Sequence, residues 1–404
     1  MTLTRAAVFS LLLALVPAIA DDWPQWRGPN RDGKSAETGL LKSWPAGGPP
    51  VVWKTAGLGE GYASFSVVKG RLFTQGQRGN QEFVMAFDTS TGKKVWETPT
   101  GKAFRESRGH GPRGTPTVDG SRLYALAADG TLACLETATG KPVWIQNVVE
   151  RYGGQVINWG ISESPLVDAD RVIVMAGGRG AGVVALDKDN GKLIWKSQGD
   201  EPGYSSAIAF DVGGIRQLAT LTGEAALGLN MKNGELLWRY TKVSNRTANI
   251  ATPIFHDGQV FVSSDYGTGC ALLKLVPQGG GVKASEVYFS RQMKNHYSSS
   301  VLVGDYLYGF DSSVLTAMKF QTGEVAWRDR SVGKGGLISA DGHLYAIGET
   351  GVIGLVEANP SGYKEKSRFS IPQGAFPTWT PPAISDGKMF LREQDNLYCY
   401  NVKN

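Results

Sequence analysis

The side chains of this chain best suited to hold or transform a ligand fall in polar, turn-rich stretches, not in the apolar runs between them. GLGEGYASF (57–65) brings Tyr62, and GKAFRESRGHGPRGTP (101–116) brings Arg108, His110 and Arg113. RYGGQVINWGISESP (151–165) brings Trp159 and Glu163, and KVSNRTANIATP (242–253) brings Arg246 and Asn249. RQMKNHYSSS (291–300) brings Asn295, His296 and Tyr297, and IPQGAFPTWTPP (371–382) brings Trp379. Guanidinium groups pair with carboxylates and phosphates in a bidentate fork, and aromatic faces stack on flat or sugar-like surfaces. If these stretches converge, they suit an anionic, planar or polymeric ligand.

The chain has 4 histidines. His256 and His343 stand in or beside Asp-Gly turns, which leaves His110 and His296 as chemical candidates. The sequence has no HxH, HExxH or paired CxxC spacing, which argues against a dedicated zinc site. His296 is the one candidate base, although nothing in the sequence pairs it with a partner. GGRGAG (177–182) lies between two strand-like runs, not between a strand and a helix, so it reads as a hairpin turn and not a phosphate loop. Cys134, Cys270 and Cys399 each sit within a strand-like run, too few and too scattered for a disulfide framework. They read as buried small hydrophobes.

What positions the loops is a repeat. DTSTGKKVW (88–96), ETATGKPVW (136–144), DKDNGKLIW (187–195), NMKNGELLW (230–238) and KFQTGEVAW (319–327) each place a glycine four residues before a tryptophan. The glycine serves a turn that needs positive φ, and the tryptophan follows on a short strand of aliphatic and β-branched residues. Upstream of each copy, runs such as PTVDGSRLYALAADG (116–130) alternate apolar and polar residues around a turn, the hairpin signal. One unit is thus four antiparallel strands, A to D from inside outward, and such units at this period are propeller blades.

Trp53, Trp96, Trp144, Trp195, Trp238 and Trp327 mark outer strands and are structural, docking between blades. Degenerate copies around Tyr288 and Phe369 complete a count of eight. VVWKT (51–55) lacks A to C strands before it, and the C-terminal stretch 381–403 lacks a D strand. The two ends are therefore expected to complete one blade and close the ring. A seven-bladed ring would require one degenerate unit to be an insertion. In such a ring the D-to-A connections share one face around the axis, and those connections are the polar stretches described above.

The GxxxW unit preceded by an acidic residue resembles the tryptophan-docking repeat of PQQ-dependent alcohol dehydrogenases. The chain is also similar to exported PQQ-binding-like propellers, a group that includes the propeller component of the outer-membrane β-barrel assembly machinery. The resemblance spans essentially everything after the first 20 residues. It implies PQQ with calcium as the cofactor to be tested, with Glu163 and Asn249 at the positions of the metal ligands. MKNHYSS (293–299) offers no aspartate where the family's base would stand, and the vicinal cysteine pair that stacks on the quinone is missing. A calcium site of oxygen ligands would need more carboxylates than Glu163 alone.

Composition narrows the remaining classes. With 53 Gly, 19 Pro and 41% hydrophobic residues, the chain is turn-rich and globular. Its net charge of +5 is spread without a basic cluster, which argues against nucleic-acid partners. Residues 1–20 read as a signal peptide: Arg5, an apolar run from Ala6 to Val16, and the small-residue pattern Ala18-Ile19-Ala20. No later segment is apolar enough to span a bilayer. The expected product is an exported protein, periplasmic or extracellular, with an N-terminal extension (21–50) and a propeller (51–404). Three functions fit: a non-catalytic scaffold that binds a ligand or protein partner through the channel-face loops, a PQQ-dependent oxidoreductase with an altered site, and a carbohydrate-binding or carbohydrate-processing propeller.

Overall fold

The computed structural model describes residues 22–404; the expected signal peptide lies outside them. Eight sheets, each with four antiparallel strands, are arranged in chain order. Blades 1 to 7 occupy residues 66–102, 117–147, 166–197, 208–240, 254–290, 301–329 and 335–370. Blade 8 takes three strands from 383–401 and its outer strand from Val51–Ala56. That outer strand pairs antiparallel with the C-terminal strand, Trp53 opposite Cys399 and Thr55 opposite Leu397. The ring therefore closes through the two ends of the chain, and no central strand is left unpaired.

The repeat has a geometric cause. In every blade the C–D pairing slips by one residue just before the docking position, a β-bulge that re-aims the following side chain. The aimed tryptophan reaches the next blade. The indole N–H groups of Trp53, Trp96, Trp144 and Trp195 donate to the carbonyls of Thr89, Thr137, Lys188 and Met231, at 2.9, 2.9, 3.0 and 3.0 Å. Tyr288 does the same in blade 5, its hydroxyl donating to the Phe320 carbonyl at 3.0 Å. Trp238 departs from the pattern and bonds Gln217 of its own blade at 2.8 Å, because blade 5 replaces the GxxxW turn with a long hairpin.

Blade 7 corrects the expectation for Phe369. The bulge register puts Ser367, opposite Leu355, at the docking position. Trp44 of the N-terminal segment fills the space that results. Its ring lies 5.9 Å from Tyr345, matching the 5.8, 6.2 and 6.0 Å between Trp96 and Phe73, Trp144 and Tyr124, and Trp327 and Tyr308. Phe369 packs edge-on against Trp44 at 5.4 Å.

The rest of the N-terminal segment runs inside the ring. Trp23 exchanges two backbone bonds of 2.7 Å with Val67, on the innermost strand of blade 1. Lys34–Ser35 adds a parallel fifth strand to blade 7. Between them Arg27 and Arg31, 4% and 3% exposed, reach across the axis. Arg31 donates to the carbonyls of Ser164 and Pro165 at 2.7 and 3.0 Å, and Arg27 to those of Ser299 and Ser300. The segment therefore plugs the central channel and ties blades 3 and 6 together through it. Cys134, Cys270 and Cys399 are unpaired and buried. Among the described residues the one α-helix is Val148–Tyr152, and no helix is long and apolar enough to cross a membrane.

Candidate ligand cup on the loop face

A cavity of about 690 Å³ opens on the face that carries the D-to-A connections. All eight of those connections contribute to it, because strand A is innermost in every blade and each connection must return to the axis. At the bottom sits Trp26, which the plug segment supplies and whose indole N–H donates to Thr252 Oγ1 at 2.9 Å. The channel is thus a cup and not a through-pore.

Aromatic rings form the wall. Trp379 stands between Tyr62 and Tyr297, at centroid distances of 5.0 and 5.5 Å, and Trp159 pairs with Tyr204 at 5.5 Å on the opposite side. Their polar tips are mostly bonded to the protein. Tyr62 donates to the Arg108 carbonyl at 2.7 Å, Tyr297 to the Lys334 carbonyl at 3.2 Å, and Trp379 to Glu349 at 2.6 Å. The ring faces are what remain for a ligand. Burial pushes the Tyr62 and Tyr204 hydroxyls up to about 12, so both are neutral donors at ordinary pH.

The charges are unevenly matched. Arg113 is nearly buried, salt-bridged to Glu106 at 2.8 Å and stacked over Tyr62 at 5.3 Å. Lys334 pairs with Glu349 at 3.2 Å. Arg108 is exposed at the mouth and has no ion pair among the described residues. His296 lies 3.5 Å from the Lys334 ammonium through Nε2, while its Nδ1 is buried without a partner. Burial first, then Lys334, lowers its proton affinity, so the ring is a neutral imidazole that the Lys334 cation already engages.

Of the residues singled out from sequence, Tyr62, Arg108, Arg113, Trp159, His296, Tyr297 and Trp379 line the cup. Five others stand elsewhere. His110 turns its edge to Phe376 at 5.2 Å and accepts from the Glu106 N–H at 3.2 Å. Glu163 is buried behind the wall, accepting from the Met175 N–H near Arg31. Asn249 ties its own loop, donating to the Thr222 carbonyl at 2.9 Å and accepting from the Asn245 N–H at 2.9 Å. Asn295 donates to the Phe310 carbonyl at 3.1 Å and accepts from Ser300 at 3.0 Å. Arg246 is exposed outside the lining.

This arrangement does not fit a calcium ion held by Glu163 and Asn249. The Glu163 carboxyl is buried and accepts from the Met175 N–H, and the Asn249 carbonyl oxygen already accepts two bonds, from Asn245 and Ser264. Among the described residues no three His, Cys, Asp or Glu side chains cluster as metal ligands.

The lining also includes Tyr266, Lys334, Glu349, Phe376 and Tyr204, which sequence reasoning missed. Tyr266 and Glu349 lie in B-to-C turns, which share the loop face because antiparallel strands alternate direction. Tyr204 and Lys334 come from the D-to-A connections at 198–207 and 330–334, which are plain in composition. Trp26 belongs to no repeat, and only its local cluster DWPQWRG marked it as aromatic-rich.

Comparison with known proteins agrees with this architecture. Residues 80–329, well over half of the chain, match the family model described as outer membrane protein assembly factor BamB. The chain belongs to that family. It is 26% identical over 213 residues to BamB of Shewanella oneidensis, covering 52% of this chain and 51% of that one. It is 31% identical over 121 residues to the quinohemoprotein alcohol dehydrogenase ADH IIB of Pseudomonas putida, but this covers only 28% of this chain and 17% of the enzyme. The match thus spans about half the length of the first relative and under a fifth of the second. Two solved structures share the fold. BamB of Moraxella catarrhalis superposes with a TM-score of 0.64 at 14% identity, over 87% of this chain and 99% of that one. The quinohemoprotein alcohol dehydrogenase of Comamonas testosteroni does so with 0.66 at 13% identity, over 95% and 80%.

Proposed function

We propose that this chain is an exported, non-catalytic scaffold that binds a protein partner in the cup of its loop face. The carrying observation is the cup itself: an aromatic wall with mostly bonded polar tips, closed at the bottom by Trp26, and no nucleophile or base in a competent pairing among the described residues. His296, the candidate base, has Lys334 on one nitrogen and a buried, unpartnered second nitrogen. Aromatic side chains with their tips already satisfied give contact area at low entropic cost, the composition of interface anchors. Membership of the BamB family supports a protein partner, since the named relatives are assembly factors of outer membrane proteins. The apolar run of residues 6–16 supports export.

The test is site-specific photocrosslinking in a cell that makes the protein. A crosslinker at Ser107, on the cup lining, is expected to capture a discrete protein, and one at Lys283, on the outer strand of blade 5, is expected to capture none. Dye reduction with simple alcohols in the presence of PQQ and calcium, with no crosslink at Ser107, would overturn this reading in favour of the oxidoreductase.

A further inference from the structure

The bottom of the cup carries serine hydroxyls whose protons are unspent. Ser164, Ser206 and Ser299 line it, each 2–3% exposed. Each hydroxyl oxygen accepts a backbone N–H from a neighbouring connection: from Thr115, Ser164 and Thr252, all at 2.9 Å. None of the three hydroxyl protons has an acceptor among the described residues. A buried hydroxyl with its proton unspent costs free energy unless something accepts it. The serines therefore offer three hydroxyl donors on the lining of one cavity, set where innermost strands begin.

Charge beneath them has the same sign. Arg31 and Arg27 bond the main-chain carbonyls of Ser164 and Ser299, the residues whose hydroxyls face the cup. Both guanidinium groups remain protonated at neutral pH despite burial, at about 10, and both keep an Nε–H without a partner. Glu163 acts on Arg31 through charge, but burial disfavours its carboxylate and so weakens that compensation. Asp32, beside Arg27, is shared with Lys34 at 3.2 Å. Two buried cations thus lie one peptide unit below the serine donors, and Arg108 waits at the mouth. In so dry a place, such charges act strongly on what enters.

We propose that the cup takes the carboxyl-terminal end of a partner polypeptide, with its terminal carboxylate on Ser164, Ser206 and Ser299 and its last side chains between the aromatic walls. This rests on the protein-partner reading above and goes one step beyond it. A carboxylate only accepts, which is what the floor requires. An acidic glycan would offer the same anion but also a ring of hydroxyl protons that need acceptors. The one carboxylate of the wall, Glu349, is already shared between Trp379 and Lys334, which leaves mainly hydroxyl oxygens as acceptors. A peptide's apolar side chains ask for no such partners.

The experiment titrates the chain, from residue 21 onward, with short N-acetylated peptides rich in apolar and aromatic residues. Each is made as the free acid and as the C-terminal amide, and binding is read by calorimetry. The free acids are expected to bind about tenfold or more tightly than the amides, the scale of a charge-assisted bond set. A Ser206→Ala/Ser299→Ala double variant should lose that preference. Arg108→Gln, an exposed change that leaves the fold alone, should weaken the acids and make their binding less dependent on salt. Acids and amides binding equally would overturn the carboxylate assignment while leaving the scaffold reading intact. Binding of oligogalacturonate with no binding of either peptide form would overturn both.

Discussion

Gly140 of blade 2 lies directly against Trp96 of blade 1: a Cβ built on it would come 2.5 Å from the indole ring. The same contact recurs between Gly92 and Trp53 at 2.6 Å, and between Gly234 and Trp195 at 2.6 Å. In blade 6, Gly323 meets Tyr288 at 3.0 Å. The glycine and tryptophan of one GxxxW unit therefore serve different interfaces. The glycine receives the previous blade's ring, and the tryptophan is delivered to the next blade's glycine. Gly140→Ala suffers twice, from φ of +72° and from the ring. Gly79→Ala, at φ +57° with nothing within 4 Å, should lose only the left-handed penalty of about 1–2 kcal/mol. Gly140→Ala should cost about 1–3 kcal/mol beyond that. Urea unfolding of the two variants gives the comparison, and equal losses would mean that the ring does not hold the glycine.

Trp195 and Trp159 separate docking from site. Trp195 is 7% exposed, in the core between blades 3 and 4. Trp195→Ala should destabilise by about 3–5 kcal/mol, as for other emptied aromatic sites. Trp159 is half-buried in the cup wall, so Trp159→Ala should cost much less and weaken ligand binding instead. Equal losses of stability would show that the wall of the cup is part of the core.

The blade count, the closure through Val51–Ala56 and the docking tryptophans were legible in the sequence because a bulged strand and its glycine turn leave a spaced signature. The docking residue of blade 7 was not, since its docking position is Ser367 and Trp44 comes from outside the repeat. For the same reason the plug escaped notice: Arg27 and Arg31 bond to backbone carbonyls, and carbonyls leave no mark in a sequence. Polar loop residues such as Asn249 and Asn295 look like ligand groups, but long connections need internal ties of the kind those amides provide. Residue type could not tell a loop's own fastening from a side chain offered to a ligand. Aromatic residues sorted better, because rings in these connections had few places to go but the cup.

Glu82 makes stability depend on pH. It is fully buried in blade 1, accepts the Ala128 N–H at 3.0 Å, and is raised by burial to about 8. The folded state therefore holds a proton that the unfolded chain releases near the ordinary glutamate value of 4.5. Its contribution is fully present below that pH and is lost as pH rises through about 8. Glu163 acts in the same direction. Glu82→Gln keeps an acceptor for Ala128 without the ionisation, so it should gain about 1–3 kcal/mol on the native chain between pH 5 and pH 9. Melting curves across that range decide the matter; parallel curves for the two proteins would show that Glu82 does not titrate there.

Two deletions separate what closes the ring from what plugs it. Removing residues 22–56 takes away the outer strand of blade 8, leaving the edge of Asn396–Asn401 open. It also removes Trp53 from Gly92 and Trp44 from Tyr345. An open apolar strand edge is a template for pairing with another chain, so this variant should aggregate. Removing only residues 22–35 keeps Trp44 and the closing strand. It strips Arg27 and Arg31 from the carbonyls of Ser164, Pro165, Ser299 and Ser300 and takes Trp26 from the cup. Those carbonyls border a channel that water then enters, so the second variant should stay monomeric by size exclusion and melt at a lower temperature. It should also lose the preference of the cup for a free carboxylate, because the cations below the serines are gone. A shorter chain lacking 22–56 that runs as a monomer and melts cooperatively would refute closure by the N-terminal strand. A 22–35 deletion that binds free acids as tightly as the intact chain would show that the buried arginines do not set the charge of the cup.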